Sequence, residues 1–246
     1  MQHPLPYNIQ NAVILAAGMA TRFQPQSLEK PKGLFRVRGE ILIERQICQL
    51  QEAGIKDITV VTGYKKELFS YLKEEYGVSL IVNDAFEQYN NSVSLLKAAE
   101  RIGNTYLCSS DNYFTENIFA PAVEHAFYSA VRSDDAGCEY IIETDADGRI
   151  MRVTPGEAKG QWYMCGPACF TEPLSKEFLP YMQKKLEADP ASGTRFWEDF
   201  LIDDLDRFPI WIKKHDDGII REFDTLEETR RFDPDFDINQ AFIKSA

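Results

Sequence analysis

Three observations predict an α/β fold, a Rossmann-like three-layer α/β/α core with a mostly parallel sheet. Short apolar runs alternate with segments whose apolar residues recur at helical spacing, the pattern of βαβ units. The first of those runs ends on a glycine inside a loop rich in cations and prolines. Beyond residue 130 the pattern shortens into strand-like runs joined by turn residues, which predicts a small β-rich lobe packed against the core.

Ala12 to Ala16 is an unbroken apolar run suited to a strand buried on both faces. Gly18 follows, where the chain turns with little side-chain bulk and its amides become free to face an anion. Thr21, Arg22, Lys30 and Lys32 add a hydroxyl and three cations, while Pro25 and Pro31 fix φ and stiffen the loop. Arg36 and Arg38 extend this basic stretch on an otherwise acidic chain. Ile43, Ile47, Leu50 and Ala53 share one helical face, and Gly54 ends that helix. Ile58 to Thr62 is the next strand. Leu68, Phe69, Leu72 and Tyr76 repeat at helical spacing up to Gly77, and Leu80 to Asn83 forms a third strand. Ser92 to Arg101 is a further helix. Thr105 to Ser110 reads as a buried strand that delivers Asp111 to its C-terminal end, where open parallel sheets place their ligands.

In the second half, Cys138 to Glu143, Arg149 to Val153 and Gln161 to Phe170 read as strands, with Asp147-Gly148 a hairpin signal between the first two. Helices are expected at 173–187 and 194–206, strands near 210–214 and 219–223, and helical residues to the end. The expected organisation is an N-terminal tail over 1–10 and a single domain over 11–246.

Hydrophobic residues make up 44% of the 246 and charged residues 27%, an ordinary globular balance. The net charge of −12 disfavours nucleic acid and anionic membranes as partners and suits a cationic substrate. No run approaches the roughly 18 apolar residues of a membrane span, and MQHPLPYNIQ lacks a basic region followed by an apolar one, so a cytoplasmic location is expected. The five cysteines, Cys48, Cys108, Cys138, Cys165 and Cys169, lack paired metal-ligand spacing and are expected as reduced core thiols.

Gly18, Arg22, Pro25, Pro31 and Lys32 follow the spacing of a known pattern: strand, Gly, any residue, Gly, a small residue, Arg, then Pro and a Pro-Lys pair. In this the chain resembles the nucleotidyltransferases that activate sugar phosphates and related phosphate esters. Ala20 stands where most members carry the second Gly, so either the backbone there avoids positive φ or Ala adopts it at a small cost. The order of YNNSVSL, SSDNYF, AKGQWYMCGPACF, FWEDFL and REFDT resembles bacterial choline-phosphate cytidylyltransferases over nearly the full length. That resemblance implies a nucleotide-binding half over 11–130, an acceptor-binding half over 131–246, CTP and choline phosphate as substrates, and Mg²⁺ as cofactor.

The resemblance also implies roles for individual residues. Lys32 stabilises charge on the α-phosphate or the leaving pyrophosphate, Arg22 grips the β and γ phosphates, and Asp111 and Asp224 hold the metal. From the residues alone, Asp224 reads equally as a cap of the TLEETRRF helix. Ser109 departs from relatives that carry a second Asp there. The nucleotide is expected along Leu15, Ala16, Ala17, Gly18, Met19, Ala20 and Thr21 and at Asn90, Asn91 and Ser94, the last three reading equally as helix caps. A quaternary ammonium cannot donate hydrogen bonds and is held by aromatic faces and carboxylates. Tyr140, Trp162, Phe196 and Trp197 with Asp199 and Glu198 are the acceptor candidates, Trp197 foremost, although each aromatic ring could equally pack the lobe.

Three alternatives stay open: a cytidylyltransferase for 2-aminoethylphosphonate, a sugar-1-phosphate nucleotidyltransferase, and a catalytically silent nucleotide-binding module. The second is disfavoured because DGRIMRVTPGEAKGQWYMCG lacks the Glu-Lys-Pro segment of the sugar enzymes, Lys159 being a loose substitute; the retained Arg22, Lys32, Asp111 and Asp224 disfavour the third. A homo-oligomer and fusion to another domain are not legible in the sequence.

Overall fold

The computed structural model describes residues 6–23 and 28–237. Nine strands form one twisted sheet: β1 (Asn11–Ala16), β2 (Ile58–Thr62), β3 (Ser79–Val82), β4 (Thr105–Ser109), β5 (Phe127–Arg132), β6 (Cys138–Thr144), β7 (Ile150–Glu157), β8 (Trp162–Phe170) and β9 (Trp211–Lys214). Their order is β7-β6-β8-β4-β1-β2-β3, with β5 pairing β8 and β9 pairing β5. The strands β4, β1, β2 and β3 run parallel, whereas β8 runs antiparallel to β4 and β5, and β6 antiparallel to β7.

Helices α1 (Leu42–Glu52) and α2 (Tyr71–Tyr76) connect β1 to β2 and β2 to β3. The chain then returns through α3 (Asn91–Lys97) to lay β4 on the opposite side of β1. Strand order therefore reverses between β1 and β4, and a crevice opens beyond their carboxyl ends. Alternate residues of the central strands face opposite layers. Ile14, Val60 and Cys108 join Ile43, Ile47 and Leu50 of α1, while Val13, Val61 and Leu107 join α4 (Glu172–Ala188) and α5 (Trp197–Ile202) through Phe178 and Phe200. Burial on both faces explains why these strands read as continuous apolar runs.

Several expectations need correction. The β-rich segment joins the core through the sheet itself: Ala168, Cys169 and Phe170 of β8 pair with Leu107, Tyr106 and Thr105 of β4. Residues 1–10 are not wholly a tail, because Tyr7–Asn8 pairs with Ala122–Val123. The FYSAVR strand β5 has no alternation to mark it, since five of its six residues are buried. Arg38 of the basic stretch and Gly39 after it both take positive φ (49° and 82°) to close a small hairpin between Arg36–Val37 and Glu40–Ile41. The helix expected at 194–206 is shorter, α5 starting only at Trp197 and ending at Ile202 after a 3₁₀ turn, Pro190–Thr194. Cys108, Cys165 and Cys169 are buried thiols, but Cys48 and Cys138 are exposed. No helix among the described residues is long and apolar enough to cross a membrane.

Candidate active site

The crevice beyond β1 and β4 is a cleft of about 500 Å³ lined by residues 15–21, 31–33, 86–91 and 109–111, with Phe23, Ser94, Thr194, Phe196 and Asp224. Leu15 to Thr21 leave β1 directly along its wall. A Cβ built on Gly18 would meet no described atom within 4 Å, so the missing side chain leaves open space at the turn. Ala20 has φ +48°, which decides between the two readings of this position: Ala accepts the left-handed conformation that Gly would take freely. Ala20→Gly should relieve about 1 kcal/mol of backbone strain, offset in part by greater freedom of the unfolded chain. A small rise in Tm is the expected result, and a fall of several degrees in a thermal melt would contradict it. The backbone of Arg22 lies in the 3₁₀ turn Thr21–Phe23; its side chain and Pro25 lie outside the described residues.

Lys32 enters the cleft from a 3₁₀ turn, Lys32–Leu34, that begins after Pro31. The turn lies tight against the end of β4: a Cβ on Gly33 would sit 2.8 Å from Ser110 Cβ. Lys32 is only 9% exposed, and its Nζ lies 3.0 Å from Asp111 Oδ2 and 3.2 Å from Asp224 Oδ1. Burial acts to lower the ammonium pKa, but Asp111, Asp224 and Glu222 outweigh it and raise the group above its ordinary value. It is a fixed positive charge. Asp111 follows β4, and Asp224 follows the short strand Ile220–Glu222, which pairs with Asn112–Phe114. The register that sets Glu222 opposite Asn112 brings the two aspartates together.

Glu222 is the third carboxylate, with ligand atoms of Asp111, Glu222 and Asp224 all within 4.8 Å of one another. Desolvation and then repulsion from Asp111 and Asp224 push its carboxyl up, to about 8, against the pull of Lys32. Because Glu222 is exposed to solvent, repulsion from its two neighbours carries most of this shift. Asp111 Oδ1 is buried without a hydrogen-bond partner among the described residues. Hard oxygen donors, mutually repelling carboxylates and an orphaned buried oxygen fit a divalent cation such as Mg²⁺.

Asn90, Asn91 and Ser94 all line the cleft. Asn90 also caps α3, its side chain accepting from Asn91 N–H at 2.8 Å, and Ser94 Oγ accepts from Asn83 Nδ2 at 3.0 Å. Of the acceptor candidates, Phe196 lines the cleft and is 44% exposed. Tyr140 donates its hydroxyl to Asp199 Oδ1 at 3.1 Å, and Asp199 Oδ2 accepts from Phe196 N–H at 3.0 Å, so these two brace the residue that faces the cleft. Trp162 does not line it, its ring lying beneath Lys214 Nζ at 5.1 Å. Trp197 is corrected: it is 3% exposed and packs between Phe170, Phe178 and Tyr128, with ring centroids 5.4, 6.4 and 5.9 Å away. Burial of its large apolar surface holds it in the core rather than on the cleft wall.

The sequence reading missed Glu222 and Tyr128, whose hydroxyl meets Glu198. For Glu222 a signal existed: in REFDT it stands two residues before Asp224, the spacing that places strand residues on one face. Glu198 accepts from Tyr128 OH at 3.2 Å and from Asn91 Nδ2 at 3.3 Å. Burial raises its carboxyl from 4.5 to about 7, with those hydrogen bonds opposing the shift. Since the folded protein binds this proton more tightly than the unfolded chain, the group's contribution is full below about 4.5 and is lost as pH rises through about 7. Glu198→Gln should remove that part of the pH slope, as read from urea midpoints at acid and mildly alkaline pH.

A family model described as the MobA-like NTP transferase domain matches residues 12–184. The choline-phosphate cytidylyltransferase of Streptococcus pneumoniae is 31% identical over 225 residues, covering 90% of this chain and 96% of that protein. The 2-aminoethylphosphonate cytidylyltransferase of Lancefieldella rimae is 30% identical over 227 residues, with 91% and 92% covered. Among solved structures, the CTP:phosphocholine cytidylyltransferase from Streptococcus pneumoniae superimposes with a TM-score of 0.86 at 30% identity, covering 91% of this chain and 97% of that one. An inositol-1-phosphate CTP transferase from T. maritima, 16% identical with a TM-score of 0.70, shares the fold.

Proposed function

The chain belongs to the family of MobA-like NTP transferase domains, which are nucleotidyltransferases, and from that premise we propose that it transfers a cytidylyl group from CTP to choline phosphate. The observation that carries the reading is the buried Lys32 held between Asp111 and Asp224 at the reversal point of the sheet. The base is supported by relatives named as cytidylyltransferases along nearly the whole chain. The acceptor is supported by the relative named for choline phosphate and by an aromatic face, Phe196, exposed in the cleft.

In the proposed reaction an acceptor phosphate oxygen forms a bond to the α-phosphorus of CTP. The bond from that phosphorus to the β-phosphate oxygen breaks, and pyrophosphate leaves with its electron pair. No side-chain nucleophile is needed; positioning and charge carry the rate. Lys32 supplies positive charge to the α-phosphate or the leaving group. Asp111 and Asp224, with Glu222 beside them, would hold Mg²⁺, which neutralises triphosphate charge when bound. The Gly18 turn gives the phosphates room, and Arg22 is proposed for the β and γ phosphates.

A second reading takes 2-aminoethylphosphonate as acceptor, favoured by the relative named for it at comparable identity and coverage. Pyrophosphate release with CTP and Mg²⁺ separates the two across choline phosphate, ethanolamine phosphate, 2-aminoethylphosphonate and glucose 1-phosphate. Burial of three methyl groups stabilises bound choline by about 2 kcal/mol, so ethanolamine phosphate should be about 30-fold poorer. Preference for the phosphonate establishes the second reading, and turnover with glucose 1-phosphate alone overturns both.

A further inference from the structure

Asn91 opens α3 on the wall of the cleft, a place where a side-chain amide is free to meet a base. Both ends of that amide are instead engaged with α5. Its Oδ1 accepts from the Trp197 backbone N–H at 2.9 Å, and its Nδ2 donates to Glu198 Oε2 at 3.3 Å. Trp197 is the first residue of α5, where a backbone N–H has no partner within its own helix. Its neighbour Phe196 has no side-chain acceptor to offer, so the bond comes from a residue 106 positions earlier in the chain.

The other Glu198 oxygen accepts from Tyr128 OH on β5, so α3, α5 and β5 meet at one carboxylate. Further bonds fasten the preceding segment to the start of α3. Asn90 N–H donates to Gly193 O at 2.8 Å, Asn90 Nδ2 to Thr194 O at 3.4 Å, and Ser92 Oγ to Gly193 O at 3.2 Å. The Tyr89 ring lies so close over Gly193 that a Cβ there would be 2.6 Å from it. Residues 193–198 are thus held to the nucleotide wall, and with Thr194 this segment brings Phe196, its exposed aromatic ring, to the cleft.

We infer that Asn91 is a positioning residue that sets Phe196 for the acceptor, and that it does not read the base. The inference rests on the cytidylyl-transfer reading only in taking the ligand at Phe196 as the acceptor. Losing the bond to Trp197 frees the start of α5 and lets Phe196 drift, while the loop from Leu15 to Thr21 keeps its own contacts.

The test is Asn91→Ala with CTP and choline phosphate. The KM for choline phosphate should rise about tenfold, the worth of one well-made hydrogen bond, with kcat and the KM for CTP within about threefold of the parent. Hydrogen exchange should accelerate across 194–200 and stay unchanged in α4. Tyr128→Phe, which loosens Glu198 from the other side, should raise the same KM by less. A rise in the KM for CTP alone assigns Asn91 to base reading and overturns the inference. Equal rises for both substrates that follow the loss of Tm, or unchanged exchange across 194–200, also overturn it. If no acceptor is turned over, the functional reading fails separately, and exchange together with CTP titration of Asn91→Ala decides the positioning role: faster exchange with unaltered CTP affinity supports it, weakened CTP binding overturns it.

Discussion

Lys32→Ala is expected to slow pyrophosphate release by about 10²- to 10³-fold, the cost of about 3 to 4 kcal/mol that follows removal of one preorganised charge donor. The side chain reaches its place without reorganisation, because the turn after Pro31 and the close approach of Gly33 to Ser110 hold its backbone against the end of β4. The substitution also leaves Asp111, Glu222 and Asp224 facing one another without the ammonium between them. The variant should therefore melt at a lower temperature in chelator and recover with added Mg²⁺ more than the parent does, since a divalent ion offsets the same repulsion. Turnover within a few-fold of the parent would remove Lys32 from the chemistry. Equal recovery of both proteins with Mg²⁺ would mean that the lysine does not offset the carboxylate repulsion.

Gly166→Ala is expected to cost about 3 kcal/mol of stability, a fall in Tm of about 6 to 12 °C for a chain of this size. Two effects act together. Gly166 has φ +99°, a conformation that disfavours any Cβ, and a Cβ there would lie 2.7 Å from Ile220 Cδ1 and 3.3 Å from Ser129 Cβ. Ile220 belongs to the short strand that carries Glu222 and leads to Asp224, so its displacement reaches the carboxylates. Activity measured well below the melting range should fall as well. An unchanged melting temperature would show that β8 and Ile220 part more readily than their packing implies.

The first half was legible because its signals are local. A strand, a turn without side-chain bulk, a Pro-Lys pair and an aspartate after a buried run each depend on neighbours in sequence. They come together because parallel strands align their ends, which brings the Gly18 turn beside Asp111. The second half was less legible because its geometry is set by pairing over long separations. Phe127 to Arg132 is buried on both faces and so shows no alternation, and its pairing with β8 and β9 leaves no trace in the segment itself. Trp197 misled for a related reason. Adjacent carboxylates suggested an ammonium site, but one turn of helix places its ring inward and leaves Phe196 outward. Ala20 shows the reverse case, where a departure from the glycine pattern kept the backbone shape and changed only its cost.

The shared ladder between β8 and β4 bears on how such enzymes diversify. The halves proposed to hold nucleotide and acceptor are stitched edge to edge, Ala168 to Leu107 and Phe170 to Thr105, rather than joined by a linker. A fragment ending near residue 130 would bare the edge of β4, an open row of backbone donors and acceptors that invites aggregation. Acceptor preference is therefore not an exchangeable module in this chain. It can change through the side chains and turns at the strand ends, while the sheet beneath them is inherited whole.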